Sequence, residues 1–248
     1  MEILGIDIGS YGIKGCVVDT DAGKIISKRK KTAPLEDTSP HKILSQLHEF
    51  VVNKFKWKGP VGCAFPAPVL KGIVVSARRI DNSWVDADAQ HLFSEITENP
   101  CTVINDTDAS GIAEMEFGAG KGQMGTVIML TVGTGIGSSI FIDGKLVPNT
   151  EIGLIEMRGI TAEERASNRS RKEEGLRKKT WAKRMQFVLE AYENIFHPEL
   201  FIIGGQMSRK SDKTFPYIKI RTPFKAAAFE NEASIVGAAL CAANSREF

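Results

Sequence analysis

The hydrophobic residues of this chain follow two kinds of pattern. Nearly continuous apolar runs bounded by glycine, proline or aspartate predict buried strands, and they occur at 3–8, 13–18, 61–65, 101–105, 200–203 and 217–221. Apolar residues three and four positions apart predict amphipathic helices, and they occur at 39–55, in a segment ending at Thr97, and at 109–117, 181–196 and 232–243. Weaker strand patterns cover 24–32 and 69–76. The pattern therefore predicts strands that alternate with helices.

Between two apolar runs, residues 129–147 contain a glycine-rich bend that ends in an Asp-Gly hairpin signal. Gly133 and Gly135 leave backbone amides accessible, and Thr131 and Thr134 add hydroxyl groups beside them, so a phosphate chain could bind there. The segment after the bend alternates like a strand, which argues against a dinucleotide-binding turn, and GxxxxGK[ST] is missing. An ordinary tight β-turn is the alternative interpretation.

The start of the chain repeats this arrangement, with a strand at 3–8, a glycine turn that begins at Gly9, and a second strand at 13–18. Two such units indicate a duplicated architecture. Asp7 either initiates the turn or holds Mg²⁺, which keeps several waters and takes one or two carboxylates beside substrate phosphates. Lys14 is either an exposed strand lysine or a point charge for phosphate.

The strand at 101–105 leads directly into Asp106 and Asp108, and an alanine-rich helix at 109–117 follows. An aspartate between a strand and a helix is commonly an N-cap, which is worth about 1 kcal/mol. The chemical alternative is a general base that takes the proton from a hydroxyl group as it attacks a phosphoryl group. Asp108 could supply the cap and leave Asp106 for chemistry.

Other polar or rigid segments also follow predicted strands. Pro66 begins a rigid loop at the carboxyl end of a strand, where ligands bind in α/β folds. Glu151 and Glu156 could accept hydrogen bonds from a polyhydroxyl ligand, although solvated turn acids are the alternative. The turn at 204–208 would let a nucleotide or phosphate approach the backbone. The charge run at 161–179 is typical of a solvated helical face or a mobile segment, and a site for a polyanionic substrate is the alternative.

Composition limits the classes of function. The 248 residues are 42% hydrophobic and 25% charged with a net charge of +2, which fits a folded protein and gives no overall field for nucleic acid or membranes. No apolar segment approaches the roughly 20 residues that span a bilayer, and the start lacks a signal peptide, so we expect a cytoplasmic enzyme. The four cysteines are far apart in apolar runs, and no CxxC or Cys/His cluster indicates zinc.

Five motifs in this order, DIGSYGIKG, FPAPV, VINDTDASG, LTVGTGIGSSIFIDGKLVPNTEIG and LFIIGGQMSRK, closely resemble the polyphosphate glucokinases of the ROK family, in the actin-like ATPase superfamily. The resemblance covers nearly the whole chain. It implies an α/β fold of two ribonuclease-H-like domains around a central cleft, and phosphoryl transfer from polyphosphate or ATP to the 6-hydroxyl of glucose. We expect the first domain at 1–107, completed by a helix at about 232–248, and the second at 108–231.

The resemblance also implies roles for individual residues. Asp106 matches the catalytic base. The sugar ligands implied are Asn105, Glu151, Glu156 and Pro66. The first phosphate loop is matched by Asp7, Gly9 and Lys14, and the second by Thr131, Gly133, Thr134 and Gly135. Gly204, Gly205 and Gln206 match the contact with the nucleotide or the far end of the donor. Mg²⁺ would bind Asp7 through water. A homodimer is expected, with no nucleic acid or membrane partner.

The sequence departs from the family pattern in three places. Leu154 stands where the family has a histidine that bonds sugar hydroxyls, and a lost hydrogen bond to a buried group costs about 1–3 kcal/mol. Ser10 and Tyr11 replace smaller residues and could narrow the phosphate path. The cysteine-rich zinc motif of many relatives is missing, so no structural zinc is expected. Leu154 and Tyr11 leave open, as the alternative function, a sugar- or phosphate-binding protein with lost or altered kinase activity.

Overall fold

The computed structural model describes residues 1–9 and 11–244. Two compact units divide the chain, the first formed by Met1–Ala113 with the chain from Glu232 onward, and the second by Glu114–Asn231. The units separate within a helix, whereas the sequence placed the boundary before it. The last part of the expected C-terminal helix, residues 245–248, lies outside the described residues. The domain boundaries stay a prediction.

The elements take their bounds from backbone hydrogen bonding. Within the described residues, the strands are β1 (Glu2–Gly9), β2 (Gly12–Asp19), β3 (Lys24–Ile25), β4 (Lys30–Lys31), β5 (Val61–Phe65), β6 (Val69–Leu70), β7 (Ile73–Val74), β8 (Cys101–Asn105), β9 (Thr126–Val132), β10 (Ile136–Ile142), β11 (Lys145–Val147), β12 (Glu156–Met157), β13 (Ile160–Thr161), β14 (Leu200–Gly205) and β15 (Phe224–Ala226). The α-helices are α1 (Pro40–His48), α2 (Ala89–Thr97), α3 (Asp106–Phe117), α4 (Ala162–Ala166), α5 (Asn168–Glu173), α6 (Lys178–Phe196), α7 (Ser211–Thr214) and α8 (Ala233–Ala243).

Each unit is built on one sheet, and the two sheets have the same strand order. The first sheet runs β3-β2-β1-β5-β8, with β4 also paired to β2, and the second runs β11-β10-β9-β14-β15. In both, a glycine turn joins an antiparallel pair, β1 with β2 and β9 with β10. The short strands outside these pairs, β3, β4 and β11, are also antiparallel to their neighbours, whereas the pairs on the other side of β1 and β9 are parallel. The predicted α/β fold and its duplicated, ribonuclease-H-like architecture are confirmed.

The first sheet packs against helices through an aromatic cluster and a close backbone contact. The rings of Phe65, Trp84 and Phe93 meet edge to face, with centroids 5.0 to 5.9 Å apart. The predicted helix at 39–55 is present, with Ser39 at the N-cap position and Pro40 in the first turn as expected, and it continues beyond α1 as a π-helix over Glu49–Phe55. This wider turn keeps the apolar face directed at the core, where Phe50 is buried.

α8 lies unusually close to the first sheet. A Cβ atom on Gly62 of β5 would lie 1.9 Å from the carbonyl oxygen of Ala238, and one on Gly237 would lie 1.6 Å from that of Ala109 in α3. Real Cβ atoms do not approach backbone this closely, so glycine is required at both positions. The last helix therefore covers one face of a sheet built from the start of the chain.

In the second unit, α6 covers the sheet and anchors the segments around it. Trp181 and Tyr192 are buried, and they donate to the carbonyl oxygens of Ala166 at 2.7 Å and Ile152 at 2.6 Å. Burial raises the pKa of the Tyr192 hydroxyl. These bonds satisfy the polar ends of two large side chains and hold α4 and the turn after β11 against α6.

Glu193, also on α6, is a buried carboxylate that holds a distant loop. It accepts a hydrogen bond from the backbone amide of Thr222 and lies 4.0 Å from the guanidinium of Arg221. Burial acts to raise the pKa of Glu193, but the hydrogen bonds at Thr222 and Arg221 and the charge of Arg221 outweigh it, so the pKa is lowered. The loop before β15 is therefore stabilised by the ionised form.

Glu114 makes a similar arrangement between two segments of the second unit. Its side chain is fully buried. One carboxylate oxygen accepts from the amide of Ala119 and the other from the amide of Phe229, each at 2.8 Å. Ala119 lies near the start of this unit in the sequence and Phe229 near its end, so one side chain binds the segments at both ends of the unit.

Three predictions of local structure were wrong. Residues 24–32 form two short strands rather than one, because β3 and β4 pair separately with β2. Residues 69–76 form a hairpin of β6 and β7, whose turn at Lys71 and Gly72 has positive φ angles. The strand predicted at 217–221 is absent; a 3₁₀ turn ends at Tyr217 and the edge strand is β15. The charge run at 161–179, by contrast, contains the capped helices α4 and α5, in agreement with the helical interpretation of that segment.

Two predictions from composition can be compared with the structure. Cys16, Cys63, Cys101 and Cys241 are free and buried, as their apolar surroundings predicted. None of the described helices combines the length and the apolar character that a membrane crossing requires.

Candidate active site

In the first unit, the predicted site residues lie at the carboxyl ends of three parallel strands. Asp7 of β1 pairs in register with Ala64 of β5, and the end of β5 pairs with Asn105 at the end of β8. Pro66 follows β5 directly, and Asp106 follows β8. The structure therefore brings Asp7, Pro66, Asn105 and Asp106 to one edge of the sheet.

Asp7 and Lys14 face each other across the first glycine turn. They are direct cross-strand partners, and the Nζ atom of Lys14 lies 3.1 Å from Oδ2 of Asp7. The side chains are 15% and 28% exposed, so the pair is neither buried nor freely mobile. A Cβ atom on Gly9 would contact nothing within 4 Å, which leaves open space beside the pair. Tyr11 is 75% exposed, and Ser10 lies outside the described residues.

Asn105, rather than either aspartate, caps helix α3. Its side-chain oxygen accepts from the backbone amides of Thr107 at 2.9 Å and Asp108 at 3.1 Å. The prediction that Asp108 supplies the cap is wrong, and the helix begins at Asp106. Because the Asn105 oxygen is engaged, its amide NH₂ group is the part left to meet a ligand. Asp106 keeps its carboxylate in the first helical turn, where the helix dipole stabilises negative charge.

In the second unit, the glycine-rich bend connects β9 and β10. The amide of Gly133 donates to the carbonyl oxygen of Gly135 at 2.9 Å, which closes a tight turn. A Cβ atom on Gly133 would contact nothing within 4 Å, so the space above the bend is open. Thr131 is the β9 residue two positions before the bend, and Thr134 is at its tip. The bend therefore presents backbone to an open surface.

The turn after β14 lies beside this bend. Gly204 pairs with Thr131, and the amide of Gln206 donates to the carbonyl oxygen of Val132 at 2.7 Å. Gly205 has a φ angle of 76°, and a Cβ atom there would lie 2.6 Å from the same oxygen. Glycine is required at this position to end β14 against β9. The structure thus brings residues 131–135 and 204–206 to one edge of the second sheet.

The predicted sugar ligands of the second unit lie in a turn anchored to β10. The hydroxyl of Ser138 donates to the carbonyl oxygen of Thr150 at 2.6 Å and accepts from the amide of Ile152 at 3.1 Å. Glu151 begins the 3₁₀ turn that Leu154 ends, and Glu156 is exposed at the start of β12. A turn held in this way can present Glu151 reproducibly, whereas Glu156 depends on a two-residue strand.

The sequence interpretation missed two residues that position the glycine bend. The carboxylate of Glu163 accepts from the amide of Ile136 at 3.0 Å, and the amide of Asn168 donates to the carbonyl oxygen of Gly133 at 2.9 Å. Both residues lie in the charge run at 161–179. A capping box formed by Thr161 and Glu164 is the sequence signal that could have indicated ordered helices there.

No compact metal site is present among the described residues. No group of three or more histidine, cysteine, aspartate or glutamate side chains in this part of the chain could hold a metal ion.

Comparisons with known sequences agree on one family. The sequence model of the ROK family matches residues 3–163. The polyphosphate glucokinase of Mycobacterium tuberculosis is 44% identical to this chain over 237 residues, which cover 95% of this chain and 89% of that protein. The glucokinase of Streptomyces coelicolor is 31% identical over 153 residues, which cover 58% of this chain and 44% of that protein.

Comparisons with solved structures give the same result. The inorganic polyphosphate/ATP-glucomannokinase from Arthrobacter sp. strain KM has a TM-score of 0.93 and 39% identity, with 99% of each chain covered. A ROK family glucokinase from Streptomyces griseus, solved with glucose and AMPPNP, has a TM-score of 0.81, with 98% of this chain and 100% of that chain covered. Its identity of 21% means that this second likeness concerns the fold alone.

Proposed function

Because the chain belongs to the ROK family, we propose that it is a sugar kinase that transfers a phosphoryl group from inorganic polyphosphate or ATP to the 6-hydroxyl of glucose. The family recognised from the sequence motifs is confirmed, and close relatives are kinases. The observation that carries the proposal is the 44% identity to a polyphosphate glucokinase over 95% of the chain. The predicted homodimer and cytoplasmic location stay predictions.

Asp106 is the proposed general base. In phosphoryl transfer, a carboxylate that accepts the proton of the attacking hydroxyl aids the reaction, while most of the rate comes from positioning and electrostatics. Asp106 leaves the buried strand β8 at a fixed point, and Asn105 orders the following helical turn through two hydrogen bonds. A rigid strand end followed by a capped helix therefore limits the positions that the carboxylate can take.

The proposed donor site lies at the glycine bend. A Cβ atom on Gly133 would contact nothing within 4 Å, so a phosphate can approach the end of β9 closely, and Thr131 and Thr134 carry hydroxyl groups that can donate to phosphate oxygens. The amide of Gly133 itself holds the carbonyl oxygen of Gly135 and so keeps the bend in shape. The glycine turn at Gly9 is the equivalent position in the first unit, with Lys14 as its cation. Gly204, Gly205 and Gln206 are proposed to contact the part of the donor beyond the phosphoryl group.

Asp7 is the residue proposed to hold Mg²⁺, through water. One oxygen of Asp7 already faces Lys14 at 3.1 Å, so the carboxylate can offer its other oxygen to a hydrated cation. This fits Mg²⁺, which needs only one or two carboxylates when phosphate oxygens supply further ligands. When bound, the ion would offset charge on the donor oxygens.

The proposed sugar ligands are Asn105, Glu151 and Glu156, with Pro66 as a rigid wall. Glutamate oxygens accept from sugar hydroxyls, and the free NH₂ group of Asn105 donates to them. Leu154, at the end of the turn that Glu151 begins, can do neither. We therefore expect fewer polar contacts with the sugar than in relatives that carry histidine at this position.

Replacement of Asp106 with asparagine tests the assignment of the base. We expect turnover with glucose to fall by at least about 100-fold, the lower end of what a general base contributes, while the melting temperature is unchanged. The matched control is Asp88→Asn, because Asp88 caps α2 through its side chain and asparagine caps equally well. Near-normal kcat in Asp106→Asn would refute the assignment.

The alternative function, a binding protein without kinase activity, has no support in the comparisons. It differs from the proposed kinase in one measurable respect. A coupled assay with glucose, other hexoses, ATP and polyphosphate would show turnover for a kinase, whereas thermal stabilisation by a sugar without any turnover would favour the binding protein. The same assay decides which donor is used.

A further inference from the structure

Four cations gather on the surface of the second unit, and we call them the distal cluster: Arg171 on α5, Lys178 at the start of α6, Lys210, and Lys213 on α7. Partial loss of hydration lowers the pKa of Lys178, and the positive charges of Lys210, Lys213 and Arg171 lower it further. The other three cations are therefore near enough to Lys178 to disfavour its charged form.

Packing between short elements brings these residues together. α7 packs against α6, and the ammonium group of Lys179, the neighbour of Lys178, lies 5.7 Å from the ring centroid of Tyr217 just after α7. Arg171 is fixed by a 3.0 Å hydrogen bond to the side chain of Asn168 and by the ring of Trp181, 5.3 Å away. The packing of α6 with α7 therefore fixes where the lysines of the cluster leave the backbone, and two contacts fix the side chain of Arg171.

Carboxylates do not neutralise the cluster. Elsewhere in this unit, Arg184 forms a two-bond ion pair with Glu174 at 2.6 Å, and Arg169 pairs with Glu163. Across residues 1–9 and 11–244, by contrast, no carboxylate lies within 4.0 Å of the ammonium groups of Lys178, Lys210 or Lys213. Asp212 is the acid whose charge acts on Lys178, so three or more positive charges face one negative charge.

The cluster is connected to the glycine bend along two routes. Asn168, which bonds Arg171 through its side chain, donates its amide to the carbonyl oxygen of Gly133 in the bend itself. Gln206, whose amide bonds Val132 at the end of β9, lies four residues before Lys210 in the sequence. A linear polyanion that starts at the bend therefore has cations beside it as it continues outward.

From this arrangement we propose that the distal cluster binds the phosphates of a polyphosphate chain that lie beyond the transferred one, and thereby favours long polyphosphate over ATP. The inference rests on the proposed function. ATP carries an uncharged nucleoside after its third phosphate, whereas polyphosphate continues as a chain of negative charges. Only the second donor gains attraction from cations placed along its path, and such attraction weakens as salt rises.

The test compares two double variants, each of which removes two exposed lysines. Lys210→Gln with Lys213→Gln removes charge from the cluster. Lys121→Gln with Lys145→Gln is the matched control, because Lys145 pairs with Ile142 at the opposite end of β10 from the bend and Lys121 precedes β9. Steady-state kinetics would be measured with long-chain polyphosphate, tripolyphosphate and ATP at several concentrations of potassium chloride, beside melting temperatures.

For the cluster variant we expect kcat/KM with long-chain polyphosphate to fall about tenfold or more, with less than a twofold change for tripolyphosphate and ATP. Its salt dependence should become shallower, by about 0.7 in logarithmic slope per lost contact if polyphosphate behaves as a single-stranded nucleic acid does. Lys210→Arg with Lys213→Arg should restore the rate.

Two results would overturn the inference: equal losses with all three donors, or equal losses in the cluster and control variants. Turnover with long-chain polyphosphate that does not respond to either variant would also refute it while leaving the proposed kinase function intact. Absence of turnover with every donor in the unmodified protein is the separate result that refutes the proposed function.

Discussion

Glutamine in place of Glu114 should destabilise the second unit by a measurable amount. The carboxylate of Glu114 is fully buried and accepts one backbone amide on each oxygen, from Ala119 and from Phe229, both at 2.8 Å. Glutamine has the same shape but only one acceptor oxygen, so its NH₂ group would face one of the two amides. One buried donor is then left without an acceptor.

The expected loss of stability follows from the number of buried amides that lose their acceptor. A buried donor without an acceptor costs about 1–3 kcal/mol. For a chain of this length each kcal/mol lowers the melting temperature by about 2–4 °C, so Glu114→Gln should melt about 2–12 °C lower. Alanine would remove both acceptors, and Glu114→Ala should therefore lose about twice as much, roughly 2–6 kcal/mol, before any cost of the cavity.

Differential scanning calorimetry of both variants beside the unmodified protein would measure these shifts. Glu116→Gln is the control, because Glu116 lies on the same helix with an exposed side chain, where substitutions change stability by about 0.5 kcal/mol or less. Equal melting temperatures for Glu114→Gln and the control would contradict the inferred role of the buried carboxylate.

Three further substitutions test other parts of the structure. Gly62→Ala should prevent close packing of α8, because its Cβ atom would lie 1.9 Å from Ala238; an unchanged melting temperature would argue against this. Gly133→Ala should change the free energy of unfolding by about 0.5 kcal/mol or less but raise the KM for the donor. A lower melting temperature with normal kinetics would contradict a role of Gly133 in donor binding. The folded pKa of Glu193 is lowered, so its stabilisation exists above the unfolded pKa of about 4.3 and is lost as pH falls through the folded value. Glu193→Gln should therefore unfold at a lower urea concentration than the unmodified protein at neutral pH, with little difference near pH 3, whereas the control Glu190→Gln should change little at either pH. An equal loss of stability for Glu193→Gln at the two pH values would exclude this linkage.

Local signals predicted the parts of the fold that depend on neighbouring residues. The Asp143-Gly144 turn has both φ angles positive, as an Asp-Gly hairpin requires. The strand pairs on either side of each glycine turn follow from the same kind of short-range information. The sequence also predicted that Asp106 follows a buried strand, because that depends only on where the apolar run ends, but the helix begins at Asp106 itself rather than at Ala109.

Features that depend on residues far apart in the sequence could not be predicted from local signals. Four consecutive residues from Asn105 to Asp108 have side chains able to cap α3, and only the backbone geometry selects Asn105. Glu163 meets Ile136 across 27 positions of sequence, so no local pattern connects them. The apolar segment that ends at Arg221 resembles a strand, yet β15 lies further along because pairing with β14 decides the edge.

The glycine contacts beneath α8 have a consequence for how the protein is made. The second unit is continuous in the chain, from Glu114 to Asn231, whereas the first needs residues 233–243 to cover its sheet. During synthesis at about 5–20 residues per second, the first 113 residues emerge but wait roughly 6–26 s for the helix that completes them. We therefore expect the later half of the chain to finish folding first, with the earlier half exposing apolar surface to chaperones until translation ends.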